Sequence, residues 1–258
     1  MRWKNPRRKE KPVTEIVRLP DAEAVAREAA RRWIEIARQA VEARGAFRIA
    51  LSGGETPRLL YRLMASEPWR DQAPWAETHV FWCDERRVPP SDPRSNYRMA
   101  RETLLDHVPI PSEQVYRMQG GGLISSATSD YEEKLRRHFR LGRGEWPRFD
   151  LILLGMGTDG HTASIFPGTR AVSDLSHMVL VYEVPQLGVE RMTLTLPVIN
   201  NARHILFLVV GEEKAETLAA VLEGDYRPST YPAQAARPVD GTLTWLVDEA
   251  AASRLTAN

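Results

Sequence analysis

The sequence predicts an α/β fold: a doubly wound, mostly parallel sheet with helices on both faces. Three observations predict it. The runs "FDLILLG" (149–155) and "HILFLVVG" (204–211) are apolar at nearly every position, as in strands covered on both sides. Such runs alternate along the chain with stretches whose apolar residues recur at helical spacing. Several of the runs also end in glycine-rich turns, where the sites of open α/β sheets collect.

The elements follow in order. Residues 21–44, alanine-rich with helical spacing, predict one long helix. "FRIALSGG" predicts a short strand ending in glycines, and "TPRLLYRLMAS" a helix with Thr56 as its cap and Pro57 in its first turn. "THVFWCD" (78–84) predicts a strand, and the proline-rich 85–96 predicts irregular backbone before the helix "YRMARETLLD". The glycines at 120–122 have no Lys-Ser/Thr after them and predict a flexible connection rather than a phosphate loop. "SDYEEKLRRHF" predicts a helix opened by a Ser129–Glu132 capping box, with its basic run on a solvated face. After the 149–155 strand come strands at 178–184, 192–198 and 204–211, a helix over "EEKAETLAAVLEG", and a closing strand and helix in "LTWLVDEAA". The alternation is Rossmann-like.

Composition bounds the function. The 258 residues are 43% hydrophobic and 27% charged, as expected of a globular protein with a sizeable core. A net charge of +1 supplies no global field for nucleic acid or an acidic membrane, so neither is expected as a partner. One cysteine, Cys83, allows no intrachain disulfide and predicts a reducing, cytoplasmic compartment; it reads as a buried strand residue rather than a nucleophile. The basic residues 1–15 are not followed by an apolar segment. They are expected to be a disordered terminus rather than a secretory signal, leaving 16–258 as a single domain.

Four loops at strand ends carry the candidate chemistry. In "LSGGETP", Ser52, Gly53, Gly54 and Thr56 offer close backbone approach and free N–H groups at a helix start, an anion pocket suited to phosphate. In "CDERRVPPSDPRSNY", Asp84 and Arg86 share a side, and Arg86 can face a carboxylate or a developing oxyanion; Arg87 reads as a solvated charge. In "GMGTDGHTASIFPG", His161 is the best candidate general base, with Asp159 placed to orient it or to hold substrate hydroxyls. Arg191 and Lys214, near strand boundaries, can each bring positive charge to a phosphate. The other five histidines, 79, 107, 138, 177 and 204, read as structural. No metal-ligand spacing and no complete dinucleotide fingerprint occur, so neither metal nor cofactor is expected.

On these segments the chain resembles the 6-phosphogluconolactonase family. "LSGGETP", "DERRVPPSDPRSNY", "FDLILLGMGTDGHTASIFPG", "ERMTLTLPVINNARHILFLVVGEEK" and "GTLTWLVDEAA" stand in family order. The resemblance implies hydrolysis of 6-phospho-D-glucono-1,5-lactone in the pentose phosphate pathway without a cofactor; a monomer or weak homo-oligomer is expected. It puts His161 on the family's base, Asp159 on its neighbouring acid, and Arg86 on the arginine of the Asp-Glu-Arg segment. Gly53, Gly54 and Thr56 fall on the phosphate loop, with Arg191 and Lys214 near it. Glu55 departs from the small residue expected in that loop and should turn outward; Thr158 replaces a common proline. Glucosamine-6-phosphate deaminases share much of the pattern but resemble one in which a glutamate precedes the closing Pro-Gly, where this chain has Phe166. A non-catalytic sugar-phosphate sensor is a further alternative, although regulators of that kind carry an added DNA-binding domain.

Overall fold

A computed structural model describes residues 14–120 and 124–256. Six strands form one sheet in which every pairing is parallel: β1 (Thr14–Leu19), β2 (Phe47–Leu51), β3 (Thr78–Trp82), β5 (Leu151–Leu154), β8 (His204–Val209) and β9 (Thr242–Asp248). Their order is β1-β9-β8-β5-β2-β3. A second, antiparallel sheet joins β4 (Asp84–Arg86), β7 (Val189–Leu194) and β6 (Val179–Val184) in that order. The helices are α1 (Ala22–Arg44), α2 (Glu55–Met64), α3 (Trp69–Gln72), α4 (Asn96–Thr103), α5 (Ile124–Phe139), α6 (Leu196–Ile199) and α7 (Ala215–Leu222).

Local chemistry explains the main elements. The Asp21 carboxylate accepts the Ala24 N–H at 2.7 Å to start α1, and Gly45 ends it with φ 68°, a left-handed conformation glycine adopts without strain. Between these caps the face Val25, Ala29, Trp33, Ala37 and Ala40 is buried at helical spacing. All four residues of β5 are buried, as its unbroken apolar run predicts. Cys83 is fully buried, its thiol donating to Leu153 O at 3.2 Å; burial, then the nearby Asp84 charge, push it well above the usual thiol range.

The structure corrects several local expectations. Strand β1 begins at Thr14, inside the stretch expected to be disordered; residues 1–13 lie outside the described residues. Helix α2 starts at Glu55 with Gly54 at the N-cap, so Thr56 sits inside the first turn and caps nothing. Glu85 and Arg86, expected to be irregular, pair in β4 because β7 offers them an antiparallel partner. The predicted 192–198 strand divides into the end of β7 and the short α6. Ser129 and Glu132 lie within α5 rather than at its start. Glu132 instead accepts the Met178 and Val179 N–H groups at 2.8 and 3.1 Å, tying α5 to β6. After β9 the chain forms turns rather than a helix. Of the glycines at 120–122, only Gly120 lies among the described residues.

The sheet order fixes where a ligand can sit. From β2 the chain proceeds to β3 on one side, while β5, β8 and β9 build outward on the other. The crevice at the carboxyl ends of β2 and β5 is therefore the topological switch point.

Candidate active site

A cleft of about 780 Å³ opens at that switch point. Its walls bring together Ser52, Gly53, Gly54 and Thr56 from the turn after β2, Asp84 and Arg86 from β4, Asp159 and His161 from the loop after β5, Arg191 from β7, and Lys214 after β8. Every residue singled out from the sequence for the site lines this one cavity. None of the five other histidines does.

The glycine turn is shaped by what it must avoid. Gly54 has φ 109°, which side-chain-bearing residues rarely adopt. A Cβ on Gly53 would collide with the Asn96 amide. Tyr61, in the second turn of α2, holds the end of β2: its hydroxyl donates to Ser52 O at 2.8 Å and accepts the Ser52 N–H at 3.1 Å. No side chain caps α2, so its first N–H groups remain available to an anion. The Ser52 hydroxyl is buried without a partner among the described residues. Glu55 is exposed and lies 3.3 Å from Arg58, and it too lines the cleft.

Buried polar groups stitch the loops together. Asn96 Nδ2 donates to the Asp84 backbone oxygen at 3.0 Å and to Asp84 Oδ1 at 3.2 Å. Asp84 Oδ2 accepts the Ser164 hydroxyl at 2.6 Å, and the Ser164 N–H donates to Thr193 Oγ1 at 3.2 Å. Asp84 thus anchors one loop to another; it is 6% exposed, with two side-chain donors already on its carboxylate. Glu85 accepts the N–H groups of Arg86, Asn96 and Tyr97 and the Ser95 hydroxyl, capping α4 from outside it. Burial pushes the Glu85 carboxyl above its ordinary range, against those hydrogen bonds.

The imidazole of His161 is held on two sides. Its Nδ1 lies 2.6 Å from Asp159 Oδ1, and the same oxygen accepts the His161 N–H at 3.1 Å. Its ring stacks on Phe166, with centroids 4.2 Å apart and planes 24° apart. Gly157 leaves the space the ring occupies: a Cβ there would overlap Nδ1. Burial would raise the Asp159 carboxyl, but the hydrogen bonds and charge of His161 hold it below the usual carboxylate range. With Nδ1 engaged, Nε2 is the nitrogen left for chemistry in the cleft.

Arg86 and Arg191 occupy directly paired positions on β4 and β7. Their side chains therefore leave the same face of the small sheet. Arg86 Nη1 donates to Arg94 O at 2.5 Å. Burial and the Arg86 charge push the Arg191 guanidinium below its ordinary value, opposed by Asp84, Glu85 and Tyr182. Lys214 adds a third cation and has no ion-pair partner among the described residues. Arg87, in contrast, pairs with Glu190 at 3.0 Å outside the cleft.

Sequence reasoning missed Tyr61, Asn96, Ser164, Thr193 and Tyr182. The Tyr182 hydroxyl donates to Ser164 O at 2.7 Å, fixing the histidine loop from β6. Only Asn96 had a local signal: it follows a Ser95 that caps a helix start, accepting the Arg98 N–H at 3.1 Å.

Residues 20–245 match the family model described as glucosamine-6-phosphate isomerases/6-phosphogluconolactonase. The chain belongs to this family. All four loops lie within the matched residues, so membership in the glucosamine-6-phosphate isomerase/6-phosphogluconolactonase family covers the whole cleft. The chain is 41% identical to the 6-phosphogluconolactonase of Synechocystis over 84% of its own length and 88% of that protein's. It is 37% identical to the Haemophilus influenzae 6-phosphogluconolactonase over 79% and 85%. The solved 6-phosphogluconolactonase from Trypanosoma cruzi matches with a TM-score of 0.84 and 30% identity, covering 96% of this chain and 99% of that one. A monomeric glucosamine-6-phosphate deaminase matches with a TM-score of 0.77 at 21% identity, a likeness of fold alone.

Proposed function

We propose that the cleft hydrolyses 6-phospho-D-glucono-1,5-lactone to 6-phospho-D-gluconate, in the cytoplasm and in the oxidative pentose phosphate pathway. The observation that carries the reading is the Asp159–His161 pair, which commits Nδ1 and leaves Nε2 in a cleft shared with Arg86, Arg191 and an uncapped helix start. The phosphate docks on the 53–56 turn and is neutralised by Arg191 and Lys214. That places the lactone carbonyl by His161.

Nε2 takes a proton from water as its oxygen bonds to C1, and the carbonyl electrons move to the oxygen, where Arg86 balances the charge. The intermediate collapses, the bond from C1 to the ring oxygen breaks, and the imidazolium returns its proton to that oxygen. The carboxylic acid formed then ionises. Asp159 keeps the imidazole in the required tautomer and stabilises its cation; Phe166 fixes the ring plane. A lactone has a competent leaving group, so no covalent nucleophile is needed.

Phe166 favours this chemistry over deamination, because a phenyl ring cannot transfer the proton that ring opening of an amino sugar requires. A test couples turnover to freshly generated lactone, corrected for spontaneous hydrolysis. His161→Ala should lower kcat by about 10²–10⁴-fold while 6-phosphogluconate still binds. Unchanged kcat would remove His161 as the base. Release of ammonia from glucosamine 6-phosphate by the native chain would replace the lactonase reading with the deaminase one.

A further inference from the structure

A second cavity, about 410 Å³, lies away from the active cleft, between the β1 edge of the large sheet and α7. Its walls are mixed: Ile16 and Trp245, register partners on β1 and β9, with Val221 and Leu222 from α7, form an apolar side, and Thr14, Gln234 and Arg237 a polar one. Ile16 is 41% exposed, a large apolar side chain left open to solvent. Trp245 is 2% exposed, and its indole N–H is buried without an acceptor among the described residues, so this wall carries an unsatisfied donor.

One charge lines the cavity. The Arg237 guanidinium lies 4.1 Å from the Tyr226 ring centroid and donates from Nε to Gln234 O, and it has no carboxylate partner among the described residues. A groove with one apolar wall and, at its exposed rim, one unneutralised cation complements an occupant with a flat apolar body and one anionic group.

The same walls touch the catalytic loop from behind. The Ala233 N–H donates to Gly160 O at 2.9 Å, between Asp159 and His161 in the chain. Gly160 packs so closely on Tyr231 that a Cβ there would collide with it. Thr217, on α7, donates its hydroxyl to Thr158 O at 2.6 Å. The turn at Pro232–Ala235 and helix α7 therefore face the second cavity on one side and hold residues 158–160 on the other.

We propose that this cavity is a second binding site, for an amphiphilic organic anion, and that its occupancy is transmitted through the Ala233–Gly160 contact to the Asp159–His161 pair. The loop is already hydrogen-bonded with the imidazole in place, so an occupant that displaces the turn misaligns it. Binding stands apart from the lactonase reading; only the kinetic readout rests on it.

The probe is 8-anilinonaphthalene-1-sulfonate, titrated into the native chain with fluorescence as the signal. Expected is saturable binding of one dye per chain that 6-phosphogluconate does not displace. Arg237→Gln, which removes the cation, and Ile16→Glu, which puts a like charge at the open rim, should each weaken it at least about tenfold. Circular dichroism melts check that both variants fold. At saturating dye, kcat should fall by at least about threefold with KM little changed. Displacement by 6-phosphogluconate, equal affinity in both variants, or no dye binding would overturn the site. Dye binding with unaltered kcat would overturn the transmission. If the chain turns over no lactone at all, the lactonase reading fails while the dye titration still decides the site.

Discussion

Arg86 and Arg191 stand directly opposite each other on antiparallel strands, in the register where side chains are closest neighbours. Like charges so placed destabilise a strand pair, and burial adds to the cost at Arg191. The arrangement becomes favourable when an anion lies between or beside the two guanidiniums.

Arg191→Gln therefore separates stability from binding. Removing one of the two charges should leave the melting temperature of the unliganded protein unchanged or higher. The loss of a charge-assisted contact of about 1.5–3 kcal/mol should weaken 6-phosphogluconate about 10- to 100-fold. Calorimetric titration and thermal melts of the same samples check both. A variant that loses stability while keeping its affinity would show that the guanidinium serves the fold.

Asp159→Asn tests the other pair. The carboxylate at 2.6 Å from Nδ1 fixes the tautomer and neutralises the imidazolium. The neutral amide should lower kcat about 10²-fold or more, with 6-phosphogluconate affinity within about threefold of the native value, because the phosphate contacts are elsewhere. A fall in affinity with intact kcat would assign Asp159 to the sugar instead.

Gly157→Ala places a methyl group where the imidazole lies. The ring must leave Asp159, so kcat should fall at least about tenfold while the far-ultraviolet circular dichroism keeps its native shape. Native turnover would show that the ring is free to sit elsewhere.

A prediction about acid stability comes from the far end of the sheet. The rings of His79 and His138 lie 4.5 Å apart, and Arg48 donates to His138 Nε2 at 3.1 Å. Burial, then His79, then Arg48 push His138 down to about 3; burial and Arg48 lower His79 as well. Both are neutral in the fold, with folded pKa values below the unfolded value of about 6.5. Their contribution to stability is thus full above that value and is lost as pH falls below it, toward about 3 for His138. His138→Phe should lose less stability than the native chain between pH 7 and 5 in urea unfolding. Equal losses would mean that other groups govern the acid limb.

Much of this molecule was legible because its signals are local. Apolar runs identified β5 and β8, and glycines after strands marked the turns that line the cleft. The chain order of the strands did not identify the antiparallel sheet, because β4 is three residues long and exists only through its partner β7. Strand β1 was missed for a related reason: at the edge its burial pattern is mostly exposed, and it pairs with a strand more than two hundred positions away. The same holds for Asn96 and Ser164. Their roles depend on Asp84, and a buried hydrogen bond between distant loops leaves no periodic trace in a sequence. The capping pattern at Ser129 misled because its glutamate was claimed by the N–H groups at the start of β6.

The pairing of β1 with β9 also has a bearing on how the chain is made. Among the described residues β1 pairs with β9 alone, a strand made more than two hundred residues later. Until then the buried β8 is a bare margin, apolar and open to unwanted pairing. A chain stopped short of Thr242 leaves β1 unpaired and one side of β8 bare, and it is the form most prone to aggregate.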